Sequence, residues 1–228
     1  MVTAINDFYL VNISVLSLNS AADISLFNIG DIVFNNIPPI YNTYKKQLDG
    51  FSGWVNEFLV KPNPGLGRTG AVCPYIQYSK EQQFFKVGIY TEPHPAQDHI
   101  IDLIRSMKEL FIDMLPVDDK DKRFKAITIL FPNLEGDEVA HIIDDVQLKL
   151  KPEFVNLGLM IGQFHEHCEQ PGLRNADFRP LQSPVPLLAI RFMVETDWPF
   201  LAGDPVLEEA YYKNFGSVNF GRKKKALD

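Results

Sequence analysis

The chain has 228 residues, 46% hydrophobic and 22% charged, the balance of a globular domain with a real core. Its formal charge of −7 excludes general nucleic-acid binding, which needs a basic face to neutralise phosphates. Two cysteines are too few for a disulfide framework, and no apolar run reaches the roughly 18 residues that a membrane span needs.

In chain order, residues 1–35 alternate loosely between apolar and polar, as in Phe8-Tyr9-Leu10-Val11 and Ile13-Ser14-Val15-Leu16. They read as most of an N-terminal extension, residues 1–40, that packs on the domain or on a second subunit and so forms a homodimer. Ile37-Pro38-Pro39-Ile40 breaks the chain. Residues 41–60 carry apolar side chains at spacings of three and four, a helical pattern. A Pro/Gly loop follows from Lys61 to Gly70. Phe84–Tyr90 predicts a strand, and Gln97–Leu115 is the clearest amphipathic helix, ended by Pro116. Ala126–Phe131 predicts a buried strand. Asp137–Leu150 predicts a second helix, stopped by Pro152. Leu157–Phe164 and Pro186–Met193 predict two more strands. Asp204–Phe215 predicts a last helix, with Pro205 in its first turn. The run Arg222–Lys225 reads as a basic tail over residues 218–228.

The order β-α-β-α-β, then a long loop, then β-α predicts an α+β protein. A ferredoxin-like or related βαβαβ(β) sandwich, with two long helices on one sheet, is expected over a single domain at residues 41–217. The N-terminus shows no basic stretch followed by an apolar one. No signal peptide is expected, and a cytoplasmic protein with free thiols follows.

Gly65-Leu66-Gly67-Arg68-Thr69-Gly70 matches the dinucleotide-binding pattern G-x-G-x-x-G, and Glu92 falls where a ribose-binding acid belongs. The context fails: a Pro-Asn-Pro linker precedes the glycines, and Pro74 interrupts the helix that should follow. A shaped loop presenting Arg68 and the Cys73 region is expected instead. Cys73-Pro74 presents a nucleophile, a haem thiolate or a buried small residue.

His165-Glu166-His167-Cys168 is the densest group of potential ligands and follows directly on a strand. In an extended segment His165 and His167 point the same way and begin a metal site. His94, His99 and His141 are scattered, so no second cluster completes a structural zinc set. A single imidazole suffices for haem, because the porphyrin supplies four nitrogens. Residues 171–186 form a loop stiffened by Pro171, Pro180, Pro184 and Pro186, which suits a lid or pocket wall. Arg174, Arg179 and Arg191 add fixed cations that hold a carboxylate or haem propionates, or pair internally with Asp177, Glu195 or Asp197. Arg191 lies inside an apolar strand and must be paired if buried.

Gly67–Tyr75, then Gly162-Gln163-Phe164-His165, Pro171–Asn175, Phe178–Leu181 and the string Ser183-Pro184-Val185-Pro186-Leu187-Leu188-Ala189-Ile190-Arg191 resemble a bacterial domain family known only as a domain of unknown function. More distantly, Cys-Pro-aromatic followed by Gly-x-x-His and an arginine looks like the YqcI/YcgG haem-protein group. That resemblance implies haem ligated by His165, with Cys73-Pro74 and Arg191 lining the pocket. It also implies N-oxygenation of a small amino-acid-like or nitrogenous metabolite. The group has His-Pro at this site, whereas this chain has His165-Glu166.

The expected function is therefore a haem-binding oxidoreductase in which Arg191 and Cys73 are catalytic. His165 is the iron ligand, and Arg68, Arg174 and Arg179 assist cofactor binding. A non-catalytic ligand-binding or interaction domain is the alternative. A cofactor-free enzyme with Cys73 as nucleophile and His165 as base is the third.

Overall fold

A computed structural model describes residues 2–5, 8–13 and 22–216, with side chains from residue 24 onward. The basic run Arg222–Lys225 and the stretch Ser14–Leu18 lie outside the described residues.

The core is a mixed sheet in which hydrophobic strands alternate their side chains between two faces. In chain order the strands are β1 (Val2–Ile5), β2 (Phe8–Ile13), β3 (Ala22–Asn28), β4 (Phe85–Ile89), β5 (Ala126–Leu130), β6 (Leu159–Phe164) and β7 (Leu187–Phe192). Their order across the sheet is β1-β2-β3-β4-β5-β7-β6. Among the described residues only β4 and β5 run parallel, joined by the long helix α4 (Gln97–Asp113), as a crossover between parallel strands requires. β6 and β7 form an antiparallel pair with Phe164 beside Leu187 and Leu159 beside Phe192. Among the described residues the sheet thus ends at β6, an edge strand.

The alternation sorts two cores. Ile127, Ile129, Ile161, Leu188 and Ile190 face α4 and α5 (Glu138–Asn156), meeting Ile104, Met107, Ile143, Val146 and Leu150. Val87, Ile89, Leu130 and Leu187 face the other way, against Tyr41, Leu48, Phe51 and Val55. That second layer contains α1 (Ile29–Val33), a 3-10 turn at Pro39–Tyr44, α2 (Lys45–Trp54), a π turn at Val55–Leu59 and α3 (Ile76–Glu81). The α+β sandwich with two long helices on one sheet is what forms, with this second helical layer on the opposite face. Part of the expected N-terminal extension belongs to the packed body: Ile24 and Leu26 of β3 are buried in the α4/α5 core.

One helix boundary differs from expectation. α5 runs through Pro152 to Asn156 instead of stopping before it. A proline removes one backbone hydrogen bond and crowds the carbonyl of residue i−4. Here that residue is Leu148, which is exposed, so water can meet the carbonyl that the helix leaves free. Phe154 and Val155, both fully buried, anchor the last turn beyond the proline. The final helix, α6 (Pro205–Phe215), starts as expected: Asp204 Oδ1 accepts from Val206 N at 2.9 Å and Leu207 N at 3.3 Å.

Candidate functional site

Antiparallel pairing of β6 and β7 decides which residues meet. The end of β6 lies beside the start of β7, and the carboxyl end of β5 flanks that start from the other side. At that end of the sheet a cleft of about 310 Å³ opens, lined by Pro132, Leu134, His165, Glu166, His167 and Pro184 among others. Its volume is at the small end of the range for ligand sites, roughly 300–1,000 Å³.

His165 is the first residue past β6 and is 1% exposed. Its carbonyl accepts from Cys168 N at 3.1 Å and from Ser183 N at 3.3 Å, so the backbone is pinned from both sides. Its Nε2 lies 3.2 Å from Asp144 Oδ1 on α5. An ionised carboxylate only accepts, so the ring nitrogen donates. The Cys168-to-His165 bond closes a tight turn. That turn corrects the expectation of an extended segment: residues i and i+3 come together, so Cys168 and not His167 joins His165. The His167 side chain is exposed at the cleft. Ligand atoms of Asp144, His165 and Cys168 all lie within 4.8 Å of one another. Cys168 is a buried free thiol whose pKa burial pushes up, helped by Asp144 and Glu169 and opposed by a backbone hydrogen bond from Gln170 and by Arg179.

Arg191 and Cys73 are not part of this cleft. Arg191 pairs with Met160 and Ala126, four positions along β7 from Leu187, which is about 13 Å away at strand spacing. Cys73 packs on the α2 side of the sheet, in the same core as Ala126 and Ala189. The Cys73–His165 nucleophile–base pair therefore does not form, because the two side chains sit on opposite faces. Arg191 is matched internally by Asp197, the alternative left open by the sequence. Nη1 and Nη2 reach Oδ2 and Oδ1 at 2.7 Å each, and Asp197 Oδ2 also accepts from Val194 N at 2.8 Å. Burial works against the arginine's charge, but the hydrogen bonds and negative charge of Asp197 outweigh it and hold its pKa above the ordinary value.

The remaining arginines are structural or free. Arg68 donates to the carbonyls of Thr69, Ala71 and Val72, stapling its own loop. Arg179 donates to the Ala176 carbonyl and lies 3.7 Å from Glu169. Arg174 is exposed and has no ion pair among the described residues. The Gly-rich loop closes on the proline-rich one: Asn175 Nδ2 donates to Gly65 O at 2.9 Å. A Cβ on Gly65 would come within 2.5 Å of the Phe178 ring, and Gly67 adopts a φ of +64°. These glycines are needed for loop-on-loop packing and a left-handed turn, and no phosphate is required to explain them.

Haem does not fit these residues. The His165 side chain is only 1% exposed, too enclosed to meet a porphyrin face, and among the described residues no arginine or lysine lines the cleft to meet propionates. Asp144 was invisible in the sequence as a site residue: it lies 21 residues before His165, among the ordinary acidic positions of a helix. Only the fold, packing α5 beside the β6 edge, brings it to the imidazole.

No helix of the described residues is long and apolar enough to cross a membrane. Residues 48–226 match the family described as Domain of unknown function (DUF6875), so the chain belongs to that family. No curated protein and no solved structure matches the chain.

Proposed function

We propose that this member of the DUF6875 family is an enzyme that takes a small amine-bearing metabolite into the cleft beside His165 and acts on it there. The observation that carries the reading is a buried imidazole, held at Asp144, on a residue whose backbone is pinned from both sides and which lines the cleft. Rigid placement of a reactive group by its neighbours is what catalysis needs. Polar groups of the lining include Gln47, Glu135, Glu166 and His167, against the apolar Pro132, Leu134, Val185 and Pro186. Two carboxylates and, among the described residues, no arginine or lysine in the lining favour a positively charged or amine-bearing ligand over a phosphate or carboxylate. This supports the nitrogenous metabolite expected from the resemblance, without the haem.

A panel of free amino acids, their decarboxylated amines and short polyamines tests the reading by amide chemical shifts. Binding should shift Glu135, Gly136, Glu166 and His167 together, and His165→Asn should abolish the effect. Shifts grouped around Cys73 and Arg191 would overturn it. Haemin titration separates the other chemistry: a Soret band lost in His165→Ala would replace this reading by the haem-dependent one. Binding with no turnover of any panel member would reduce the protein to a ligand-binding module.

A homodimer through the N-terminal strands is part of the same proposal. β1 has one unpaired edge among the described residues, the kind of edge to which a second strand adds. Ultracentrifugation of the wild type and of Ala4→Pro tests it; a monomer in both removes it.

A further inference from the structure

Three different donor types meet beneath the cleft: the Asp144 carboxylate from α5, the His165 imidazole and the Cys168 sulfur from the turn after β6. We infer that Asp144, His165 and Cys168 form a binding site for a divalent transition-metal ion of the zinc class. The inference rests on the reading of the cleft as the working site and supplies that site with its cofactor.

The geometry is of the right scale. Zinc binds nitrogen and oxygen at about 2.0–2.2 Å and sulfur at about 2.3 Å, so neighbouring tetrahedral ligands stand about 3.3–3.8 Å apart. The His165–Asp144 separation is 3.2 Å, and no pair of donors in the group exceeds 4.8 Å. A hydrogen bond holds this spacing in the free protein, so little movement is needed for the ion to replace it. The thiolate argues against magnesium and calcium, which take oxygen ligands, and for zinc or a neighbouring first-row ion. Charge agrees as well. One carboxylate and one thiolate neutralise a dication, which matters because His165 and Cys168 are each 1% exposed.

On loading, the Cys168 thiol proton leaves to solvent as the sulfur–metal bond forms. The proton that His165 Nε2 shares with Asp144 moves to Nδ1. Three protein ligands leave a fourth position for water or a substrate atom, the ligand count of catalytic rather than structural zinc sites. His165 is both a ligand and part of the cleft wall, so a bound amine and the ion would be neighbours.

The test is Co²⁺ titration of the full-length protein, read by absorption. One ion per chain should give a tetrahedral visible spectrum with a near-ultraviolet thiolate charge-transfer band. Cys168→Ser should remove that band and Cys73→Ser should leave it unchanged. Asp144→Asn should weaken Co²⁺ affinity by about 10–100-fold, the range found even for groups that only orient metal ligands. A six-coordinate spectrum without thiolate, or a band that follows Cys73, would overturn the site. If Cys168→Ser does not fold, Asp144→Asn decides alone: its carboxylate is 37% exposed, so the change is tolerable, and unaltered affinity would overturn the site. Amine-induced shifts in a protein that takes up no Co²⁺ would sink the metal and leave the cleft. A Cys168-dependent spectrum with no amine binding would do the reverse.

Discussion

Arg191→Ala separates a structural arginine from a functional one. Asp197 is 3% exposed, whereas the Arg191 side chain is 35% exposed. Removing the arginine strands a buried carboxylate with a single remaining donor, Val194 N. Breaking a fully buried pair costs about 3–5 kcal/mol, and the partial exposure of Arg191 places this case near the lower end, about 3 kcal/mol. Asp197→Ala leaves a guanidinium that water can reach and costs about 2 kcal/mol. The double variant should be no worse than the poorer single one, giving a coupling of about 2 kcal/mol. Urea unfolding measures all three, and Arg191→Ala should melt roughly 6–12 °C lower. Amine binding to its folded form should be unchanged. A cost below about 1 kcal/mol, or lost binding at unchanged stability, would refute the assignment.

Lys125 is fully buried, and its ammonium donates to the carbonyls of Ile112 and Met114 between the Phe111 and Phe192 rings. Burial pushes its pKa down from 10.5 to about 8. Between those values the unfolded chain binds the proton more tightly, so stability should rise with pH through that window and the rise should be flatter in Lys125→Met. Tyr41 acts oppositely: burial raises its pKa from 10.0 to about 12, so its contribution is full below pH 10 and declines above it. Unfolding curves from pH 7.5 to 11 check both. Gly88→Ala should destabilise by about 1–3 kcal/mol in urea unfolding. Its Cβ would meet Ile24, Leu26 and Ile129 at 2.7–3.0 Å, inside a closed core. Asp204→Ala should cost about 1 kcal/mol by the same assay, from loss of the α6 cap.

The elements were legible where local chemistry dominates. Apolar spacing located α4, and Asp204-Pro205 marked the start of α6. The end of α5 escaped because the cost of Pro152 is local whereas the burial of Phe154 and Val155 that offsets it is tertiary. His165 was legible from its place at a strand end. Its partners were not. The turn that selects Cys168 over His167 is closed by Cys168 N and held by Ser183, and Asp144 arrives only through packing. Arg191 was rightly marked as needing a partner. Its removal from the cleft depends on antiparallel register, and pairing direction is not written in either strand alone.

The most direct test of the cleft is a side-by-side binding measurement on His165→Asn and Arg191→Lys, using the amine panel and each folded protein. Loss of binding in the first variant, with wild-type binding in the second, is the predicted result. Binding that survives at position 165 and fails at 191 would move the site to the opposite end of the sheet and contradict it.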